Sequence, residues 1–249
     1  MSPLQFTVSP DFGPDAIAGW FIFNTWLQHA IAEPVHLELY DSFAAQRAAI
    51  DARTVDLVYA NPYDASLLVR SHGFVPIVRP RGRSDEAVLV VADRSAIETV
   101  EELQPGCRIA GTDDPDVRTI GMIMLEPADL DATNTVDVDA DTYVLVAKAL
   151  LSGRADVGIF LAVAYEKLSA LVRSQLRPLV TSQISVIHHA MLAGPALAGR
   201  RAELLSLLTT MGNDPKGAGV LDALGITAWD EMTDEQVEFM IDLMDTLVA

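Results

Sequence analysis

The stretch "ARTVDLVYANP", residues 52–62, decides the fold, because a similar phrase, "SGRADVGIFLA", returns at residues 152–162. Each reads as the end of a helix, a basic residue, an aspartate and an apolar run. A short apolar run bounded by turn residues is the mark of a buried strand. Asp56 and Asp156 stand at the entrance to these strands, where they are read as structural groups that cap or pair. The residues that follow, "NPYD" and "FLAV", differ, and ligands bind at the carboxyl ends of strands in open α/β sheets.

Working outward from the first phrase, "LQFTVS" (residues 4–9) is a buried strand and "PDFGPD" a turn. A helix starts at Pro14 or Asp15 and runs to about Ala32. Its Trp20, Phe21, Phe23 and Trp26 cannot share one face at 100° per residue. The helix is therefore buried on two sides, or part of its aromatic wall, from Trp20 to Trp26, meets a second copy or another partner. "VHLELY" alternates with period two as a strand, "SFAAQRAAIDA" is a helix, and "YDASLLVRSHG" is a helix stopped by Gly73. With "FVPIVRP" the order is β-α-β-α-β-α-β, which implies a parallel sheet with helices on both faces. A second α/β unit follows. "EAVLVVAD" is a strand, and "SAIETVEELQPG" is a short helix opened by a Ser95–Glu98 capping box. "CRIAGT" is a strand, and "DDPDVRTIGMIMLEPADL" is a loop and then a helix. "DTYVLVAKALLSG" and "VAYEKLSALVRSQ" are helices on either side of the second phrase. "LRPLVTSQISVIHHAMLAGPAL" is extended and crosses back. Two helices and a last amphipathic one, with Thr233 and Gln236 set for a capping box, close the chain.

The net charge is −18 with three lysines, Lys148, Lys167 and Lys216, so a phosphate backbone or an anionic membrane surface is repelled. Nucleic acid is excluded as a partner. Cys107 is the only cysteine, which leaves no disulfide framework or thiolate zinc cluster. "AIAGWFIFNTWL" is too short and too punctuated to span a bilayer. The N-terminus lacks a basic, apolar leader, so the expectation is a cytoplasmic protein as written, or a periplasmic one if a signal peptide has been removed.

Four segments in order carry a resemblance. "AAQRAAIDARTVDLVYANPYDASLLVRSHGFVPI" resembles the phosphate/phosphonate-type periplasmic solute-binding proteins, with their G-x-V-D strand, proline and helix. "EAVLVVADRSAIETVEELQPGCRIAGTDDPD" resembles their return strand and D-P loop, "VAKALLSGRADVGIF" their L-x-x-G-x-x-D segment, and "LTTMGNDPKGAGVLDALGI" their closing D-P-x-G-x-x-V-L-x-x-L-G-I. The resemblance runs from about Leu4 to Trp229. It implies an α/β, two-lobed type 2 periplasmic-binding fold with mixed, mostly parallel sheets and two crossover strands. The lobes are 1–84 plus 188–249, and 85–187. A ligand cleft lies between them, and hinges lie near 83–86 and 185–189. It implies a non-catalytic protein that binds a small anionic or zwitterionic solute without a cofactor. An enzyme of the chorismate-dehydratase type on the same fold is the alternative.

One departure stands out. Phosphonate binders carry Ser-Thr-Ser-Gly after the D-P pair, where backbone N–H groups and hydroxyls cradle the oxyanion. Here the loop reads "TDDPDVRTIGM". Only Thr119 and Gly121 keep places in it, and Asp113, Asp114 and Asp116 crowd it. Arg118 either contacts an anion or neutralises those aspartates. No H-E-x-x-H, G-x-S-x-G, P-loop or G-x-G-x-x-G is present, so no catalytic or metal residue is assigned. The expected ligand-binding residues are Pro10, Asp11 and Phe12; Asn61, Pro62 and Tyr63; Arg118 and Thr119 in "VRT"; Thr142 and Tyr143 in "DTY"; and His188. Each of the four loops follows a strand. The rings of His188 and His189 must point oppositely in an extended segment.

Overall fold

A computed structural model describes residues 2–12 and 16–248. The expected helix start at Pro14 or Asp15 lies outside the described residues. The chain divides into two compact units, one of residues 1–83 and 188–244, the other built on residues 84–187.

The first unit opens with β1 (Leu4–Val8), α1 (Ile17–Ile31), β2 (Val35–Glu38), α2 (Phe43–Asp51), β3 (Leu57–Ala60), α3 (Pro62–His72) and β4 (Val75–Pro80). The second holds β5 (Ala87–Ala92), β6 (Arg108–Gly111), α4 (Pro115–Ile123), β7 (Val136–Asp139), α5 (Tyr143–Leu151), β8 (Val157–Leu161), α6 (Ala162–Glu166), α7 (Ala170–Arg173) and β9 (Leu176–Thr181). The chain then returns to the first unit as β10 (Ala190–Ala193), α8 (Arg201–Thr210), α9 (Pro215–Leu224), β11 (Trp229–Glu231) and α10 (Asp234–Val248).

The two sheets share a plan. The first runs β11-β4-β10-β3-β1-β2 and the second β7-β6-β8-β5-β9. β1 pairs parallel with β2 and β3, as β6 does with β7 and β8. β10 pairs antiparallel with β3 and β4, as β5 does with β8 and β9. The wholly parallel sheet expected for the first unit is therefore corrected. β4 does not lie beside β3, because β10 inserts between them from more than a hundred residues away. β11, which the sequence pattern did not mark, adds an antiparallel edge on β4.

The repeated phrase has one physical role in both units. Asp56 N–H donates to Gln5 O at 2.8 Å, and Gln5 N–H donates to Asp56 Oδ2 at 2.8 Å. In the second unit Asp156 N–H donates to Arg108 O at 2.8 Å, and Arg108 N–H donates to Asp156 Oδ2 at 2.8 Å. Each aspartate thus fastens the start of its own strand to the start of the strand beside it. Asp156 also takes the Arg108 guanidinium on both oxygens, at 3.0 and 2.6 Å, which holds its carboxyl below the ordinary carboxylate range. The residue that turns each preceding helix into the strand is left-handed, Arg53 at φ 55° and Gly153 at φ 73°.

Other elements form for local reasons. Asn61 caps α3, Pro62 occupies its first turn and Gly73 ends it. The closing motif is a complete helix specification. Asp214 Oδ2 accepts from Gly217 N at 3.1 Å, Pro215 fits the first turn, and Gly225 with Ile226 closes the end by N–H donation to Asp222 O and Leu221 O. At Gly217 a Cβ would stand 2.0 Å from Met211 O, so only glycine fits. The Thr233–Gln236 capping box forms as expected, at 3.3 and 3.1 Å.

Three expectations give way. Residues 95–106 hold only a 3-10 turn at Val100–Glu102, because Arg177 Nη2 binds the carbonyls of Ser95 and Ile97 that a helix would use. The helix expected over "VAYEKLSALVRSQ" is two, since Ser169 opens a new one by accepting from Val172 N. α1 is not buried on two sides all round. Trp20 and Phe23 are buried in the first unit's core with Phe6 and Trp229, whereas Phe21 and Ile22 are about half exposed.

The segments joining the strands at 84–86 and 182–185 are tied by one side chain. Glu86 accepts from the hydroxyls of Ser84 and Ser182 and from the N–H groups of Ile184 (3.0 Å) and Ser185 (2.7 Å). Burial works to raise this carboxyl, but its four donors outweigh that and hold it below its usual value. The tie is therefore complete above an unfolded-state pKa near 4.5 and is lost as pH falls through the lower folded value. Glu86→Ala should speed amide exchange at Ile184 and Ser185 by at least about tenfold, read by hydrogen exchange with mass spectrometry. Unchanged exchange would show that the tie holds nothing. Arg53→Gly should stabilise the protein by about 0.5–1 kcal/mol in urea titration, since it removes a left-handed arginine where the second unit already uses glycine.

Candidate functional site

In the first unit the carboxyl ends of β1 and β3 meet the start of β10, and the side chains there form one polar cluster. His189 stands one residue before the Ala190–Ala60 pair, so it faces Asn61 across the ladder. Its Nε2–H donates to Asp11 Oδ2 at 2.8 Å, its ring stacks on Tyr59 with centroids 5.3 Å apart, and both side chains are nearly buried. Burial works to raise the Asp11 carboxyl, but His189 and the Ser9 hydroxyl hold it below its ordinary value. Beside this pair, Arg47 grips the buried Asp64 through Nε at 2.6 Å and Nη2 at 3.2 Å, and its guanidinium lies over the Tyr63 and Phe43 rings. Here burial prevails, and the Asp64 carboxyl is pushed up despite Arg47. Asn61 Oδ1 accepts from Asp64 N at 2.7 Å.

The structure therefore gathers Asp11, Asn61 and Tyr63, with Pro62 buried in the first turn of α3 and Pro10 and Phe12 half-buried on the same loop as Asp11. Of the two histidines, His189 joins this cluster. His188 is spent elsewhere: its Nδ1–H donates to Arg83 O at 2.6 Å, which makes it a backbone tie rather than a group held out to solute. The extended pattern of this pair already signals that the two rings diverge, but Asp11, which selects between them, is 178 residues away. Arg47 and Asp64 were also missed; each lies on a helix face that reads as ordinary amphipathic surface.

In the second unit the segment "VRT" is not a loop. Asp114 and Pro115 start α4 upstream of it, so Val117, Arg118 and Thr119 lie inside the helix. Thr119 Oγ1 donates to Pro115 O at 2.7 Å, and Gly121 packs against Ile159 too closely for a Cβ. Arg118 reaches over Gly111 and pairs with Asp137 on β7. It thus neutralises a carboxylate, though a different one from the loop aspartates. Asp114 and Asp116 are buried at the N-terminus of α4, 2% and 1% exposed, and Asp113 is exposed. Tyr143 Oη–H donates to Asp114 Oδ2 at 2.8 Å, and its ring stacks on Phe160, which meets Tyr165 edge-on. Thr142 caps α5 by accepting from Leu145 N at 3.3 Å.

A groove of about 690 Å³ in the first unit, lined by Gln5, His36, Glu38, Tyr40 and Asp56, lies at the amino ends of β1 and β3. Its lining includes none of Asp11, Tyr59, Asn61 or His189. Among the described residues no cluster of three or more His, Cys, Asp or Glu is placed to hold a metal, and no helix is long and apolar enough to cross a membrane.

Residues 6–237 match the family described as ABC transporter, phosphonate, periplasmic substrate-binding protein, and the chain belongs to that family. No curated protein matches it in sequence. Among solved structures it is similar to PhnD1 from Prochlorococcus marinus in complex with methylphosphonate, at 15% identity and a TM-score of 0.82, covering 98% of this chain and 97% of that one. It is also similar to a binding protein component of an ABC phosphonate transporter from Pseudomonas aeruginosa, at 15% identity and a TM-score of 0.80, covering 99% and 87%. A Xanthomonas citri protein bound to ATP matches at 12% identity and a TM-score of 0.81, covering 99% and 98%. The fold is the type 2 periplasmic-binding fold.

Leaving the Asp11 carboxylate buried without its partner should be costly. His189→Ala should lower stability by about 3 kcal/mol in urea titration, and Asp11→Asn combined with His189→Gln should cost less than the two single changes added together. Strict additivity would show that the pair does not act as a unit. The pair's contribution is complete above about pH 4 and is lost as pH falls through the lowered Asp11 value.

Proposed function

We propose that this chain captures a small anionic or zwitterionic solute other than free phosphate or a simple alkylphosphonate, through loops at the carboxyl ends of its strands. Family membership supports the solute-binding reading and favours it over the enzyme alternative. It also implies the periplasm as the place of work and an ABC permease as the partner that receives the solute.

The observation that carries the exclusion of phosphonate is the N-terminus of α4. In the family a hydroxyl-rich loop there offers N–H and O–H donors to an oxyanion. Here the same helix end holds the chain's own carboxylates, with Asp114 at the N-cap position and Asp116 in the first turn, both buried. A helix N-terminus favours negative charge, and here that preference is already met by side chains. A dianion arriving beside two buried carboxylates meets repulsion that the exposed, pre-engaged Arg118–Asp137 pair does not offset. Thr119, the remaining hydroxyl, is committed to its own helix.

Calorimetry at moderate salt should find phosphate and methylphosphonate binding no tighter than millimolar. A thermal-shift screen of small polar solutes provides the positive arm, since a ligand at a hundred times its dissociation constant adds about 2.7 kcal/mol. Micromolar affinity for methylphosphonate would overturn the exclusion.

A further inference from the structure

We infer that Asn61, at the N-terminus of α3, is a specificity-determining residue whose amide N–H group donates to a carboxylate of the solute. The inference rests on the solute-binding reading above and names the chemical class that the first unit takes.

Asn61 is fully buried. Its amide orientation is fixed, because Oδ1 accepts the Asp64 N–H at 2.7 Å and turning the amide over would forfeit the helix cap. Nδ2 therefore points away from that N–H, and no acceptor meets it. A buried donor left in this state has lost its hydrogen bond to water without gaining another. A buried amide in the same layer is met in full on its nitrogen: Gln46 Nε2 donates to Thr7 Oγ1 at 3.1 Å and to Val8 O at 2.8 Å. The orphan donor also sits at the positive end of an 11-residue helix. Two independent features thus call for an acceptor at one place.

The surrounding charges decide which acceptor. Asp11 is matched by His189, and Asp64 by Arg47. The cluster offers one neutral amide donor pair and a helix end, without surplus positive charge. Such a site suits a planar, singly charged carboxylate and gives little to a phosphonate dianion. Anion recognition has on this account moved from the second unit's helix end, with Asp114 and Asp116, to the first unit's helix end, where Asn61 stands at the cap and the first-turn Asp64 is held by Arg47.

The test is Asn61→Ser, which keeps a capping oxygen and removes the N–H₂ group. Wild type and variant are compared by thermal shift and calorimetry with acetate, pyruvate, succinate and glycine, and with methylphosphonate and methanesulfonate as comparators. At least one carboxylate should bind the wild type, and the variant should bind it at least about tenfold more weakly while its unliganded melting temperature is unchanged or raised. Equal carboxylate affinity in the two proteins, or no carboxylate binding to the wild type, overturns the inference. A non-carboxylate solute that binds both proteins alike sinks this inference and leaves the solute-binding reading standing, whereas tight methylphosphonate binding to both sinks the exclusion of phosphonate as well. Should Asn61→Ser fail to fold, Asn61→Thr keeps the cap and decides the same question.

Discussion

A carboxylate at the foot of a central strand closes on the backbone of the strand beside it, and both sheets are built outward from that closure. Asp56 on Gln5 and Asp156 on Arg108 are reciprocal pairs of hydrogen bonds, not simple ion pairs. Their effect is on register. A one-residue slip between parallel strands would turn every side chain to the other face, taking Phe6 and Val8 out of the first core and Ala110 out of the second. With register fixed at the amino ends, the carboxyl ends arrive level, and the residues just beyond β1 and β3 are held beside one another before any of them contacts solute.

The two units then diverge where the strands finish. β3 leads into a helix whose N-cap, Asn61, bonds the first turn, and β6 into one whose N-cap position holds Asp114, which makes no capping hydrogen bond. The difference is one side-chain atom, nitrogen in place of oxygen, yet it reverses what each helix end can receive. In the second unit the aspartate takes the Tyr143 hydroxyl instead of the helix end. In the first, the asparagine satisfies the helix with its oxygen and leaves its nitrogen unmet.

Much of this was legible in the sequence wherever its cause is local. The helix bounded by Asn61 and Gly73, the closing helix with Asp214, Pro215 and Gly217, and the Thr233–Gln236 box each depend on groups within a few residues. What stayed hidden depends on partners far along the chain. The Ser95 capping box fails because Arg177 takes its carbonyls, the parallel order fails because β10 inserts, and Arg118 turns to Asp137 rather than to the aspartates next to it. The choice between His188 and His189 is of the same kind. Pattern sets them on opposite faces, but only Arg83 O on one side and Asp11 on the other decide what each does.

The chain's net charge of −18 bears on the site less than it first suggests. A uniformly acidic surface would repel any anionic solute, were the field at the site set by the total. Within a Debye length of roughly 8 Å the local arrangement governs instead, and around Asn61 both carboxylates are engaged, Asp11 by His189 and Asp64 by Arg47. Selection there falls to the geometry of donors rather than to attraction of charge. The acidic exterior then acts as a filter, since a dianion feels its repulsion twice as strongly as a monoanion does. A protein of this charge distribution is suited to holding a singly charged group by a few directed hydrogen bonds, at the cost of the long-range steering that a basic cleft would provide.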